Sequence, residues 1–230
     1  MKKPVITTID GKQITVFISE AKNAPFVYSN TYMENGASVI KACEKLNCKP
    51  FHLVSISKLR WDEEMSPWMH TPVVTKNDHF TGEADRYMRC LTEQIIPYAE
   101  QMIQETVKFR VIAGYSMSGL FALYAPYITD CFSALVSASG SVWYPEFVSF
   151  AQKNCFLRKP DTIYLSLGDL ESRTRNTYLS QTENCMKNLL SLYQRQEIPS
   201  VFELNHGNHY KDADIRLAKG IAWTLQHQGE

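Results

Sequence analysis

A serine hydroxyl attacks a carbonyl only when a base takes its proton, so chemistry by serine needs a particular placement as well as a particular residue. One stretch of this chain offers it. The apolar run Phe109-Arg-Val-Ile-Ala113 leads into Gly114-Tyr-Ser-Met-Ser-Gly119 and then into the apolar Leu120-Phe-Ala-Leu-Tyr124. A strand that turns this sharply into a helix nearly touches it. The residues two before and two after the central serine must then be small, and the serine hydroxyl is pushed out at the end of the strand. Gly114 and Ser118 meet that demand around Ser116. Ser118 stands where the commoner G-x-S-x-G pattern has its second glycine, and serine is nearly as small. With Ser118 as nucleophile the flanking residues would be Ser116 and Leu120, and leucine is too large. Ser116 is the candidate nucleophile.

On such a turn the partners follow in the chain order Ser, then Asp or Glu, then His. The segment Val201-Phe-Glu-Leu-Asn-His-Gly-Asn-His-Tyr210 holds two histidines. His206 ends a β-rich run and suits packing or a hydrogen bond there. His209 follows a Gly-Asn turn, on a loop from which an imidazole can reach a serine, and is the candidate base. A metal site built on His206 and His209 lacks a neighbouring carboxylate or cysteine cluster to complete it. The acid is expected after the preceding strand, where the chain reads Gly168-Asp-Leu-Glu171. Asp169 and Glu171 both stay open on the residues alone. The longer reach of Glu171 suits its later position, and Asp169 suits capping of the turn. An oxyanion hole needs two N–H donors. Met117 would supply one. The other would come from Asn30, Thr31 or Tyr32, of which Thr31 is the working choice.

The elements that must position these residues alternate. A hairpin over 5–18 is predicted around Asp10-Gly11. Strands are expected near 25–29, 51–56, 109–113, 132–138, 161–167 and 200–204, and helices over 36–47, 83–104 (kinked at Pro97), from the Gly/Ser turn through Tyr127, and over 174–196 and 212–226. Strand and helix in alternation imply βαβ units: an α/β fold with a mostly parallel central sheet, helices on both faces and an antiparallel hairpin at one edge. No repeat or linker interrupts the pattern, so residues 1–230 read as one domain. The connection over 58–82 is long for a compact fold and carries two Trp, two His and two Pro. That aromatic content argues for a functional loop over a disordered one.

Composition removes other classes. Twenty-four Lys and Arg balance 24 Asp and Glu, which leaves no basic footprint for nucleic acid and weakens repulsion between copies, permitting a homo-oligomer. No run approaches the roughly 18 apolar residues of a membrane span. None of the six cysteines forms a CxxC pair. A core of this size needs no disulfide staples, and the N-terminus has no signal-peptide pattern, so reduced thiols and a cytoplasmic location are expected.

With these residues placed, the chain resembles the esterase branch of the α/β-hydrolases, which includes esterase D-like and siderophore esterase-like enzymes. The marks are GYSMSGLFALY at 114–124, EQIIPYAE at 93–100, SGSVWYP at 139–145, SLGDLE at 166–171 and GNHYKDADIR at 207–216. The resemblance implies the α/β-hydrolase fold, cleavage of small carboxylic esters or thioesters without metal or organic cofactor, and Glu171 as the acid. RWDEEMSPW at 60–68 takes the place of a lid. Trp61, Trp68 and Trp143 are candidate pocket walls, and Arg60, Arg173 and Arg175 are candidate contacts for an anionic substrate. Two alternatives remain at this point: an acyltransferase on the same scaffold, and a binding module that kept the fold without the chemistry.

Overall fold

The turn at Asp10-Gly11 behaves as its residue types require. Both residues take positive φ (48° and 75°) and close a two-residue hairpin in which Ile9 faces Lys12. This hairpin joins β1 (Val5–Ile9) to β2 (Lys12–Phe17). The computed structural model describes residues 2–228. Beyond the hairpin, strand and helix alternate: β3 (Phe26–Asn30), α1 (Ala37–Lys45), β4 (His52–Ser57), α2 (Trp61–Glu64), α3 (Ala84–Cys90), α4 (Ile96–Glu100), β5 (Arg110–Tyr115), α5 (Met117–Tyr124), β6 (Ala134–Ala138), α6 (Phe147–Lys153), β7 (Thr162–Gly168), α7 (Thr182–Arg195), β8 (Ser200–Asn205) and α8 (Ala213–His227).

The eight strands form one sheet in the order β1-β2-β4-β3-β5-β6-β7-β8. The hairpin pairs antiparallel with itself and with β4, and β3 to β8 run parallel. The expected α/β architecture and edge hairpin are therefore present. Alternate residues of each strand feed opposite faces. Val27, Leu53, Val111, Ala113 and Val136 pack with α1 and α8 on one side, while Tyr28, Val54, Ile112 and Leu135 join the larger cluster on the other. After β3 the chain steps to one side to make β4, then returns to place β5 on β3's other flank. Such a reversal opens a crevice beyond the carboxyl ends of β3 and β5, and α/β sheets bind ligands in crevices of this kind. Ser116 follows β5 directly.

Three elements differ from the sequence expectation. The helix over 83–104 is α3, a π turn over Leu91–Ile95, and α4, which ends at Glu100. Pro97 has no N–H for the carbonyl four residues back, and the backbone absorbs this by widening ahead of it instead of breaking. α7 starts at Thr182, later than the expected 174. Before it, the Asn176 side chain accepts the N–H groups of Tyr178 and Leu179 and donates to the Val73 carbonyl, which ties these turns to the 58–82 connection. α6 has no counterpart in the sequence reading.

The 58–82 connection is itself ordered. Asp78 accepts the N–H groups of Val73, Val74 and Thr75, and Met69 bridges Thr81. At its base Lys12 lies 3.0 Å from Glu64, with both side chains buried. No helix among the described residues is long and apolar enough to cross a membrane. All six cysteines are free thiols.

Candidate active site

The turn after β5 carries the strain its sequence implies. Ser116 has φ 61° and ψ −126°, a conformation costly for any residue with a Cβ. Hydrogen bonds hold it there. Its carbonyl accepts the N–H groups of Gly119 (2.9 Å), Leu120 (3.1 Å) and Ser141 (3.0 Å), and its own N–H reaches Ala138 O at 3.2 Å. A Cβ on Gly114 would sit 2.2 Å from the backbone of Ser118, so strand and helix do nearly touch. Ser118 is bonded into the turn: its Oγ accepts the Tyr115 N–H at 2.8 Å and lies 2.9 Å from the Tyr115 carbonyl. The serine thus braces the turn where a glycine would only fit.

Beyond the carboxyl edge of the sheet, residues from three connections converge. His209 Nε2 lies 3.0 Å from Ser116 Oγ, and His209 Nδ1 lies 2.6 Å from Glu171 Oε2. A carboxylate only accepts, so Nδ1 carries the proton and Nε2 turns its lone pair to the serine. The other carboxylate oxygen, Oε1, accepts from Gly168 N–H (2.6 Å), Ser139 Oγ (2.8 Å) and Arg216 Nη1 (2.9 Å). Burial works to raise the Glu171 pKa. Hydrogen bonds from His209, Ser139 and Gly168 outweigh it and hold the carboxyl below the usual range.

Asp169 and His206 form a separate pair. Asp169 Oδ1 accepts the Gly207 N–H at 2.7 Å, and Oδ2 faces His206 Nδ1 at 3.3 Å on the surface. The Gly207 N–H, then the His206 side chain, depress the Asp169 pKa. This pair braces the loop on which His209 sits and does not reach Ser116.

A cleft of about 310 Å³ opens over Ser116, Met117 and His209. Trp61, Phe80, Trp143 and Tyr210 give it aromatic walls, and Asp62 and Asp78 contribute carboxylates. Trp68 lies elsewhere. Its Nε1 donates to the Pro145 carbonyl at 3.2 Å, and its ring packs on Tyr124, Tyr144 and Phe150. It is a packing residue, since the aromatic cluster around α6 claims it before the cleft can. Arg60 is taken up by ion pairs with Glu63, Glu64 and Glu83. Arg173 and Arg175 are exposed and do not line the cleft.

The family described as Putative esterase matches residues 43–213. The chain belongs to that family. It is a carboxylic ester hydrolase, and its backbone is shared with solved hydrolases at low identity. A siderophore hydrolase (EstA) from Aspergillus nidulans superposes with TM-score 0.73 at 18% identity, over 97% of this chain and 93% of that one. An IroE-like serine hydrolase from Shewanella oneidensis gives 0.75 at 16%, over 94% and 76%. The enterobactin esterase FES from Shigella flexneri gives 0.69 at 15%, over 97% and 59%. No curated protein matches the chain in sequence.

The second oxyanion donor also departs from the sequence expectation in this esterase's site. The N–H of Thr31 donates to the Ile56 carbonyl at 2.8 Å, continuing the β3–β4 ladder by one residue, so it is not available to an oxyanion. The next N–H along the same loop is that of Tyr32, whose ring packs edge-on against Trp61 at the cleft rim. Met117 opens α5, where an N–H has no intrahelical partner. Three side chains around His209 were not singled out from the sequence: Ser139, Tyr115 and Arg216. Only Arg216 left a trace there, as a lone cation on the buried face of α8, four and eight residues ahead of the buried Gly220 and Thr224.

Proposed function

We propose that this esterase works through an acyl-enzyme on Ser116, with His209 as general base and Glu171 as the acid that orients it. The observation that carries the reading is the pair of distances through one imidazole, 3.0 Å to Ser116 Oγ and 2.6 Å to Glu171 Oε2. His209 Nε2 takes the hydroxyl proton as Oγ bonds to the ester carbonyl carbon. The oxyanion is met by the N–H of Met117 and, in place of Thr31, that of Tyr32. His209 then returns the proton to the departing alcohol. A water attacks the acyl-enzyme by the same route, releasing the acid and restoring Ser116. Glu171 stays ionised throughout and stabilises the imidazolium. The cleft's volume and aromatic walls at Trp61, Phe80 and Trp143 suit a small ester with an apolar acyl or alcohol part.

The test is labelling with a fluorophosphonate probe and peptide mapping, alongside hydrolysis of short-chain nitrophenyl esters. The adduct is expected on Ser116, and Ser116→Ala should lower kcat by about 10⁴-fold or more. A Ser116→Ala enzyme that keeps its esterase activity would end the assignment.

A further inference from the structure

Arg216 is 1% exposed, among the most deeply buried large side chains of the protein. It projects from the first turn of α8 into the space behind Glu171. One terminal nitrogen, Nη1, lies 2.9 Å from Glu171 Oε1, 3.0 Å from Ser139 Oγ and 3.3 Å from Tyr115 Oη. The other, Nη2, donates to the carbonyls of His206 (3.2 Å) and Asn208 (3.0 Å). Tyr115, whose phenol burial keeps protonated, donates in turn to the His209 carbonyl at 2.6 Å. The guanidinium therefore grips the carboxylate with one nitrogen and the histidine loop with the other. A Cβ on Gly168 would stand 2.9 Å from both terminal nitrogens, so the end of β7 is shaped around this group.

We propose that Arg216 is a positioning residue for the esterase reaction: it locks Glu171 and the His209 loop into one unit, and its charge offsets the carboxylate behind the imidazole. This rests on the reading of Ser116, His209 and Glu171 given above. The reason lies in the charge balance. A buried carboxylate with no cation behind it favours imidazolium in front of it, and imidazolium cannot accept the serine proton. Arg216 is the lysine or arginine that pairs with Glu171 among the described residues. The other titratable groups facing the His209–Glu171 pair are Tyr115 on β5, Tyr210 beside His209, and Asp62 and Asp78 across the cleft. Asp169 and His206 pair with each other on the surface, and the Lys211 stem packs on Gly207. None of these replaces the guanidinium. By saturating Oε1, the arginine and its neighbours also leave Oε2 for His209 Nδ1, which fixes the tautomer.

The test compares Arg216→Lys, which keeps the charge but not the two-sided grip, with Arg216→Gln, which keeps some hydrogen bonding but not the charge. Arg216→Lys is expected to lower kcat roughly tenfold and leave the acid limb of kcat/KM in place. Arg216→Gln should lower kcat further and move that limb to higher pH by roughly one unit, the scale of losing one close charge. A brace acting only through packing would lower kcat at every pH and move nothing. An unmoved acid limb in Arg216→Gln, or a kcat within threefold of the parent enzyme, overturns the proposal. If Arg216→Gln does not fold, the double variant Arg216→Gln/Glu171→Gln, which buries no unpaired charge, is compared with Glu171→Gln. Equal kcat values support action through Glu171, and a further loss of tenfold or more refutes it. Activity surviving in Ser116→Ala would instead point to failure of the underlying reading.

Discussion

His209 and His206 sit three residues apart on one loop, and each faces a carboxylate from the turn after β7. Chemically the two pairs are near twins, yet their surroundings differ. His209 has 32% of its side chain exposed and Glu171 only 6%, with a 2.6 Å contact between them. His206 and Asp169 are 77% and 34% exposed at 3.3 Å. The inner carboxylate has three further donors on its second oxygen, whereas the outer one accepts a backbone N–H and otherwise meets solvent. Only the inner imidazole has a hydroxyl on its far nitrogen. Residue type and spacing permit a charge pair. Burial, a saturated acid and a third partner make it a candidate for proton transfer.

That contrast is open to direct attack. The largest effect is expected at the bases: His209→Ala should cost kcat about 10⁴-fold or more and abolish fluorophosphonate labelling, while His206→Ala should stay within about threefold. Equal losses would erase the distinction. The acids come next. Glu171→Gln should lower kcat by about 10³- to 10⁴-fold through the wrong tautomer, and Asp169→Asn should cost only a few-fold, by loosening the Gly207 turn. The smallest effect concerns stability. Both carboxyls are held below their ordinary range in the folded protein. Each therefore contributes stability that is present above the unfolded value and is lost as pH falls through the folded one. Melting temperatures followed from neutral to acid pH should fall along a slope that Glu171→Gln flattens more than Asp169→Asn, because solvent screens the outer pair.

How far the residues spoke for themselves varied along the same lines. The elbow that carries Ser116 was legible because it is local: Gly114, Ser118 and the flanking apolar runs are a contiguous pattern. The placement of His209 beside Ser116 was legible from chain order and its loop. Glu171 against Asp169 was not decided by the residues, since the choice depends on Ser139 and Arg216, which are 32 and 45 residues from Glu171. Thr31 misled because a single extra rung of the β3–β4 ladder consumed its N–H, and ladder length is a matter of pairing that propensity does not show. Trp68 misled for a similar reason, its partners on α6 belonging to a helix that the residue pattern did not reveal. The parallel sheet and its hairpin edge followed from periodicity and turn chemistry. The delayed start of α7 did not, because Asn176 recruits the turns before it to a loop 103 residues away.

Ser116 and His209 are 93 residues apart, and the groups around them come from β5, from the connections after β6 and β7, and from α8. Contacts of such long range carry a high loop-closure entropy and are expected to close late, after the strands that carry them have paired. Reactivity towards a serine-directed probe is then expected only of the finished sheet. During refolding, such a probe would mark the arrival of the last long-range contacts, separately from the earlier appearance of helix signal or collapse.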